Sequence, residues 1–280
     1  MGLAVATELD QIDPASYQRV VALTFDATGI RLGDAKQRMV SGRLRRLVHE
    51  AGLTSYAAYL EYAQRDPAER SRLLDSLTTN ETYFFREPAH FDRLQEELAA
   101  ASAPWTVWSA ASSTGEEPYS LAITLREYLP KSHQRGSRIL ATDVSPSVIA
   151  EARRAVYSGR ALAKVPPDQL ETHFEDRGDG RFQVKQSTRS LVTFARLNLM
   201  GPWPMKGPFD LVLLRNVMIY FDEPTRCWLV ERIAALVRPG GYLFIGHSET
   251  LGEDPATLQR LQPAVYRRTD VPAQIQARPR

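Results

Sequence analysis

Polar residues follow three apolar stretches of this sequence, at the points where predicted β-strands end. The first stretch leads into residues 110–118, which are small or acidic and contain one glycine, Gly115. Asp143 follows the second stretch, and Asn216 and Tyr220 follow a later one. Ligands of a doubly wound sheet bind beyond the carboxyl ends of its strands. These residues therefore predict a ligand site at that edge.

The residue types indicate the class of ligand. An aspartate after a strand can accept hydrogen bonds from both ribose hydroxyls, and the Asn216 amide suits an adenine edge or an amino-acid head group. Glu116 and Glu117 oppose a phosphate at the start of the next helix, and Gly115 alone does not make a GxGxxG loop. The pattern favours a nucleoside without phosphates. S-adenosylmethionine fits, because acids and aromatic faces stabilise its positive sulfonium.

Each of these residues also has an ordinary structural explanation, which the residues alone leave open. The loop can be a small-residue turn whose two acids complement the dipole of the next helix. Asp143 can cap a helix beside Ser145. Tyr220 can be a half-buried core tyrosine.

The elements that must position these residues alternate between strand and helix from Trp105 onward. Apolar strands that alternate with helices predict a mostly parallel sheet covered on both faces. The predicted strands are 106–109, 137–141, 209–214 and 242–246, and the predicted helices are 118–128, 145–156 and 223–237. Residues 182–185 and 191–194 alternate with period two after the turn 178–180, which predicts an antiparallel hairpin inserted in the α/β unit.

The first part of the chain has apolar residues at helical spacing. Helices are predicted at 14–26, 34–51, 55–65, 67–77 and 90–101, with Ser55 and Asp66 as N-caps. We therefore predict an all-helical domain over 1–88 and an α/β domain over 89–280. The β-insert spans about 172–196 in this prediction, and 269–280 form a tail.

The composition narrows the class of protein. The 280 residues include 35 basic and 33 acidic side chains, and the net charge of +2 argues against bulk electrostatic binding of nucleic acid. Cys227 is the single cysteine, so a disulfide framework and a multi-cysteine zinc site are excluded. No apolar stretch approaches the roughly 18–20 residues of a membrane span. We expect a cytoplasmic protein without a metal.

Six ordered segments carry a resemblance to one known family. They are TTNETYFFRE at 78–87, WSAASSTGEEPYS at 108–120, ATD at 141–143, LNL at 197–199, RNVMIYF at 215–221 and GHSE at 246–249. Together they resemble the CheR-type methyltransferases, which use S-adenosylmethionine to methylate glutamate side chains of chemotaxis receptors. The resemblance covers about residues 10–268.

The resemblance implies a fold and a set of site residues. The fold is an all-helical N-terminal domain followed by a Rossmann-like, S-adenosylmethionine-dependent methyltransferase domain of the α/β class, with a small antiparallel β-subdomain inserted. Arg86 and Tyr220 are implied beside the methyl-transfer centre, and Asp143 at the ribose hydroxyls. The implied cofactor contacts are Asn80, Thr82, Arg86, Glu117, Asp143, Asn198, Leu199, Asn216 and Val217.

The implied reaction moves methyl from the sulfonium to a glutamate carboxylate by in-line displacement. The products are a glutamyl 5-methyl ester, used for adaptation in signal transduction, and S-adenosylhomocysteine. A glutamate with its ordinary pKa of about 4.3 is already ionised at neutral pH, so no general base is needed. Arg86 can hold the substrate carboxylate or that of the cofactor, and the sequence leaves both open.

The helix predicted at 34–51 indicates a receptor contact. Its apolar face faces away from Arg38, Arg45 and Arg46, with Arg43 at the flank. These arginines can be a solvated helix face, but the resemblance implies a docking surface for the acidic, cytoplasmic methylation helices of chemoreceptors. The turn 178–181 is about three residues shorter than in members that capture a receptor C-terminal pentapeptide by strand addition. We therefore expect a monomer that works without this tether.

Three other functions compete with this one. Methyltransferases of exocyclic amines in nucleic acids follow the fourth strand with Asn/Asp-Pro-Pro-aromatic, whereas Asn216 is followed here by Val-Met-Ile. A non-catalytic sensor of S-adenosylmethionine need not keep Arg86 and Tyr220. A nicotinamide-dependent oxidoreductase is disfavoured, because this sequence lacks the glycines of the GxGxxG loop that such an enzyme needs. Structural roles are expected for His49, His90, His133 and His173, while the role of His247 stays open.

Overall fold

The computed structural model describes residue 9 and residues 11–252 and 255–273. The chain divides into two compact units, Met1–Thr79 and Asn80–Arg280. The domain boundary predicted after residue 88 lies nine residues later than the division after Thr79. Segment 80–87 groups with the second unit because its backbone is bonded there: the Phe84 amide donates to the Ala161 carbonyl (3.0 Å) and the Phe85 amide donates to Ser120 Oγ (2.9 Å). Of the predicted tail 269–280, residues 274–280 lie outside the described residues.

The first unit is helical, as predicted. Ser55 and Asp66 are confirmed as N-caps, since Ser55 Oγ accepts from the Ala58 amide and Asp66 Oδ1 accepts from the Ala68 amide. Its helices are α1 (Pro14–Thr28), α2 (Gln37–Glu50), α3 (Tyr56–Arg65) and α4 (Pro67–Leu77), with a 3₁₀ turn at Asp34–Lys36. The predicted apolar face of α2 is buried, with Val40, Leu44 and Val48 fully enclosed.

The second unit is built on a seven-stranded sheet. The strands of this sheet are β1 (Thr106–Ala110), β2 (Arg138–Asp143), β6 (Val192–Arg196), β7 (Phe209–Leu214), β8 (Val237–Ile245), β9 (Leu258–Gln262) and β10 (Val265–Arg268). Their order in the sheet is β6-β2-β1-β7-β8-β10-β9. The five strands from β6 to β8 are parallel, and β10 and β9 are antiparallel to their neighbours. The remaining strands, β3 (Val156–Ser158), β4 (Phe174–Asp176) and β5 (Arg181–Val184), form a separate sheet.

Helices cover the large sheet because its parallel strands are apolar on both faces. Leu94, Leu98, Leu121 and Leu125 pack against strand residues such as Leu211. The helices of this unit are α5 (Pro88–Ala99), α6 (Glu116–Tyr128), α7 (Lys131–Gln134), α8 (Pro146–Arg154), α9 (Pro167–His173), α10 (Gln186–Arg189) and α11 (Glu223–Ala234). No helix in the described part of the chain is both long and apolar enough to cross a membrane.

The small antiparallel sheet is confirmed, but the predicted hairpin partner is wrong. The turn 178–180 joins β4 to β5, and β3 completes the sheet in the order β3-β5-β4. The predicted partner, 191–194, belongs instead to β6, which pairs parallel with β2 at the edge of the large sheet. Period-two alternation identifies a strand but not its partner, and the intervening α10 turns the chain away from β5.

The bounds of the last predicted helix and strand are also corrected. The helix predicted to reach residue 237 ends at Ala234, and Val237 already opens β8, opposite Phe209 of β7. The strand passes through the Pro-Gly-Gly segment, where a Cβ on Gly241 would lie 2.8 Å from the Asp210 carbonyl oxygen. This close approach allows β8 to begin five residues before the predicted strand.

Candidate active site

The sheet brings the predicted site residues to one edge. Strands β6, β2, β1, β7 and β8 are parallel neighbours, so their carboxyl ends lie side by side. Asn198 follows β6, Asp143 ends β2, and the loop 111–115 follows β1. Asn216 follows β7, and 246–249 follow β8. Segments more than a hundred residues apart in sequence therefore meet at the edge where ligands of such sheets bind.

The loop after β1 makes a tight turn at the end of the sheet. Ala111 (φ +85°), Ser113 (φ +47°) and Gly115 (φ +99°) all have left-handed backbones. The Ala111 amide donates to the Thr142 carbonyl of the neighbouring strand (2.8 Å). A Cβ on Gly115 would lie 2.8 Å from the Tyr157 hydroxyl oxygen, so glycine is required there. Small side chains in this turn let a ligand approach the backbone.

Asp143 is buried, with 9% of its surface exposed, and its carboxylate fastens this loop. Oδ2 accepts from the Ser113 amide (2.9 Å) and Oδ1 accepts from the Ser145 amide (3.0 Å). The helix-cap explanation does not apply to Asp143, because Ser145 itself caps α8 through the Val148 amide. A carboxylate has about four acceptor positions, which is the chemistry needed to receive two ribose hydroxyls.

Segment 80–87 lies against the loop after β1. Ser113 Oγ donates to the Asn80 carbonyl (3.3 Å), and Thr82 is half-buried. The half-buried Arg86 donates from Nη1 to the Glu81 carbonyl (2.6 Å). One of its five guanidinium N–H groups is used in this contact, so the others can bind a carboxylate.

Arg215 contacts the backbone of Arg86 and was not singled out by sequence reasoning. Its side chain is 1% exposed, and Nη2 donates to Glu87 Oε2 (3.0 Å) while Nη1 donates to Glu117 Oε2 (2.9 Å). Nη2 also donates to the Arg86 carbonyl, and Ser109 Oγ donates to Glu117 Oε1 (2.7 Å). Arg215 thus joins three separate segments of the site. The available signal was a charged residue directly after a buried apolar strand.

The cluster of Glu87, Arg215 and Glu117 holds two carboxylates for one guanidinium and therefore carries a net negative charge. Burial raises the pKa of Glu87, but Arg215 and hydrogen bonds from the His247 amide and Asn216 outweigh this effect and hold the pKa below its ordinary value. Glu87 and Glu117 both pair with the one buried guanidinium of Arg215. A cation is stabilised where acids outnumber bases in a partly desolvated site. A sulfonium has the required charge.

Glu87, His90 and His247 place potential metal-ligand atoms within 4.8 Å of one another. Both Glu87 oxygens are already in use, Oε2 by Arg215 and Oε1 by Asn216 Nδ2 (3.3 Å) and the His247 amide (3.2 Å). His90 is 1% exposed, and burial lowers its pKa to about 3. The guanidinium occupies the position in which a cation would neutralise Glu87, so this donor set does not fit a metal ion.

The segment after β7 carries three predicted site residues. Asn216 has a left-handed backbone (φ +58°), and Val217 is half-buried. Tyr220 ends the 3₁₀ turn Met218–Tyr220 and is half-buried, with a face at the surface. The carboxylate of Glu249, which sequence reasoning did not single out, bonds the backbone of this turn. Its position at the end of the GHSE segment was the available signal.

The segment after β6 is fixed by hydrogen bonds between backbone and side chains. Asn198 Oδ1 accepts from the Met200 amide (2.9 Å), and the Leu199 carbonyl accepts from Trp203 Nε1 and Arg232 Nη1 (3.2 Å each). The Arg232 guanidinium carbon lies 3.7 Å from the centre of the Trp203 ring. Leu199 is buried and Asn198 is half-buried. This packing holds both residues at the carboxyl edge.

The four arginines predicted to dock a receptor lie in the helical unit and differ in their contacts. Arg38 and Arg46 are exposed. Arg43 Nη1 donates to two carbonyls at the end of α4 (3.0 Å each), and Arg45 Nε donates to the Leu9 carbonyl (2.9 Å). Arg43 and Arg45 therefore hold this unit together. Arg38 and Arg46 keep exposed guanidinium groups, and Arg46 Nε also donates to Glu50 Oε1 within α2 (2.8 Å).

Comparison with known proteins matches both units to one family. Residues 80–266 match the CheR methyltransferase, SAM binding domain, and residues 15–78 match the CheR methyltransferase, all-alpha domain. The chain is 38% identical over 260 residues to a probable chemotaxis protein methyltransferase of Rhizobium etli, covering 88% of this chain and 97% of that relative. It is 39% identical over 250 residues to the chemotaxis protein methyltransferase of Escherichia coli, covering 87% of each. It is also 39% identical over 258 residues to chemotaxis protein methyltransferase 2 of Pseudomonas aeruginosa, covering 89% of this chain and 91% of that relative.

Proposed function

This chain belongs to the CheR methyltransferase family, and we propose that it methylates glutamate side chains of chemoreceptors with S-adenosylmethionine as the methyl donor. The products are a glutamyl 5-methyl ester and S-adenosylhomocysteine. The observation that carries the proposal is the meeting of Asp143, the small-residue loop 111–115 and the Glu87–Arg215–Glu117 cluster at one edge of the sheet. This edge supplies a ribose acceptor, close backbone approach and negative charge together.

The proposed cofactor contacts follow the order of the strands. Asp143 receives the ribose hydroxyls, and the segment after β6 lies beside it because the Leu197 amide donates to the Asp143 carbonyl (2.9 Å). Glu117 and its partners contribute the negative charge that suits a sulfonium. The full proposed set is Asn80, Thr82, Arg86, Glu117, Asp143, Asn198, Leu199, Asn216 and Val217.

The cofactor, when bound, supplies a methyl group on a positively charged sulfur that a carboxylate oxygen can displace. The chain's own task is to bind and orient, because an ionised glutamate needs no base. Arg86 binds a carboxylate through its remaining guanidinium N–H groups, and the Arg215 bond to its carbonyl fixes its backbone. Tyr220 places its ring at the mouth of the site and excludes water from the reacting atoms.

The receptor contact is proposed at helix α2 of the helical unit. The predicted docking set was Arg38, Arg43, Arg45 and Arg46, and the two exposed members, Arg38 and Arg46, supply the charge that faces a partner. Acidic methylation helices complement this charge, which speeds encounter and fixes orientation more than it adds affinity. Since those helices are cytoplasmic, we propose that the enzyme acts in the cytoplasm. We also propose that it acts as a monomer.

The small sheet bears on a possible tether. Two backbone hydrogen bonds close the turn between β4 and β5. The Arg177 amide donates to the Arg181 carbonyl (2.8 Å), and the Arg181 amide donates to the Gly178 carbonyl (3.0 Å). Such a short tip offers little beyond its strands to hold an added peptide strand. We propose that the enzyme methylates receptors whether or not they end in a pentapeptide, which receptors with and without those residues would test.

The test of the proposed function combines binding and transfer. Calorimetric titration with S-adenosylmethionine and S-adenosylhomocysteine should give binding that Asp143→Asn weakens strongly. Methyl-labelled cofactor should then deliver label to a receptor cytoplasmic fragment in a form released by mild base, as esters are. Binding without transfer would favour a sensor, transfer to nucleic acid would favour the competing methyltransferase class, and absence of binding would refute the proposal.

A further inference from the structure

Glu249 is a buried carboxylate that gathers four backbone amides. The residue is 8% exposed and follows β8 by a turn in which its own amide donates to the Gly246 carbonyl (2.9 Å). Its Oε2 accepts from the amides of Gly246 (2.7 Å) and Asn216 (3.0 Å). Its Oε1 accepts from the amides of Met218 (2.7 Å) and Ile219 (3.3 Å). One side chain therefore ties the end of β8 to the segment after β7.

The bonded segment depends on this carboxylate for its shape. Val217 precedes the 3₁₀ turn Met218–Tyr220 without a side-chain cap of its own. The first amides of a helical turn have no partner within the turn, and a carboxylate satisfies them best because the turn's dipole is positive there. Glu249 supplies that cap from another strand. Asn216, which directly precedes Val217, has a left-handed backbone conformation that favours glycine.

The contact between the two segments is close-packed. A Cβ on Gly246 would lie 2.7 Å from Asn216 Nδ2 and 2.8 Å from Glu249 Oε2, so a larger residue would displace both side chains. Asn216 Nδ2 in turn donates to Glu87 Oε1 (3.3 Å). The Glu249 contacts thus continue directly into the acidic cluster of the site.

We propose that Glu249 is a positioning residue for methyl transfer, holding Asn216, Val217 and Tyr220 in the arrangement that the reaction needs. This inference rests on the proposed function, which places those three residues at the cofactor and the methyl-transfer centre. Glu249 itself touches neither. It acts through the backbone of the turn, and its four hydrogen bonds distinguish it from a carboxylate that merely fills space.

Both oxygens of Glu249 matter to this role. Burial raises the pKa of Glu249, and the hydrogen bonds from the four amides oppose this effect by stabilising the carboxylate. A glutamine has the same size but one acceptor oxygen, and its NH₂ group would face amide donors. Two of the four amides would then lose their acceptor. Losing one hydrogen bond to a charged group changes the equilibrium between the ordered and the open turn by about 10-fold to 100-fold.

The test compares Glu249→Gln with Glu69→Gln. Glu69 is an equally buried carboxylate (6% exposed) of the helical unit, bonded to the Tyr59 hydroxyl (2.8 Å), and it controls for general loss of stability. Hydrogen–deuterium exchange of the peptide spanning 215–221 should accelerate at least about tenfold in Glu249→Gln and stay unchanged in Glu69→Gln. The dissociation constant for S-adenosylhomocysteine should rise about fivefold or more, and kcat should fall by about 10-fold to 100-fold.

Each outcome decides a separate point. If Glu249→Gln is folded and keeps wild-type exchange, affinity and kcat, the inference is overturned. If exchange accelerates while affinity and kcat stay within twofold of wild type, Glu249 is structural only, and the inference again fails. If the wild-type protein does not bind S-adenosylhomocysteine, the proposed function fails instead, and exchange alone still reports whether Glu249 holds the turn.

Discussion

Replacing His90 by phenylalanine should remove part of the acid sensitivity of the second unit. His90 is 1% exposed, its ring stacks on Phe244 with centroids 5.1 Å apart, and burial lowers its pKa to about 3. Neither ring nitrogen has a hydrogen-bond partner in the described part of the structure. Phenylalanine therefore fills the same space without leaving an unpaired polar group.

The sign and size of the effect follow from the two pKa values. In the unfolded chain His90 takes up a proton near its ordinary pKa of about 6.5, whereas the folded chain keeps it neutral until about pH 3. Its contribution to stability is complete above pH 6.5 and is lost as the pH falls towards 3. Linkage gives a loss of about 1.9 kcal/mol between pH 7 and pH 5, and this figure holds for any folded pKa below about 4.

Urea unfolding at pH 7, 6 and 5, followed by tryptophan fluorescence, measures this loss. All four tryptophans lie in the second unit, at positions 105, 108, 203 and 228. The free energy of unfolding of His90→Phe relative to wild type should rise by about 1.9 kcal/mol from pH 7 to pH 5. The variant His133→Gln, at a half-exposed histidine of the same unit, is the control. If wild type and His90→Phe lose stability in parallel, His90 is protonated in the folded state and the reasoning is refuted.

Four further variants test the site and the docking surface. Arg215→Met leaves two carboxylates without their buried guanidinium, so urea unfolding should show the second unit destabilised by about 3–5 kcal/mol, and a loss under 1 kcal/mol would contradict the account. Arg86→Ala should slow methyl transfer about a hundredfold with little loss of stability, and calorimetry with S-adenosylhomocysteine tells whether it holds the cofactor's carboxylate; unchanged turnover would remove it from the mechanism. Reversing Arg38 and Arg46 to glutamate should raise the receptor KM about tenfold at low salt and leave S-adenosylhomocysteine affinity intact. Loss of cofactor affinity in this double variant would indicate misfolding. Arg43→Ala should instead destabilise the helical unit, because Arg43 bonds the end of α4.

The helices and the buried strands could be predicted because each is encoded by neighbouring residues. Ser55 and Asp66 bond amides two or three residues ahead, so their role as caps is visible in the local sequence. The strand 209–214 is apolar along nearly its whole length, which is typical of a sheet covered on both faces. The carboxyl-edge location of Asp143 and Asn216 followed from these strands. The family resemblance then supplied the individual site residues.

The pairing of strands and the interior of the site could not be predicted in this way. The segment 192–196 has the period-two pattern of a hairpin strand, yet it pairs with β2, some fifty residues earlier, because tertiary packing chooses the partner. Arg43 and Arg45 lie in a basic run that indicates a solvated or docking face, but carbonyls about 35 residues away bind them. A pattern of residue types contains no information about which distant backbone group will be adjacent.

The sequence by itself determined the elements of this protein, the edge at which its ligand site lies and the family to which it belongs. Only the tertiary structure decided how that edge is held: Arg215 joins Glu87 and Glu117 across separations of 128 and 98 residues, and Glu249 caps a turn about 30 residues before it. The physical reason is that a buried charge is stable only with partners in place. Those partners come from whichever segments the fold brings together, and local sequence patterns do not specify them.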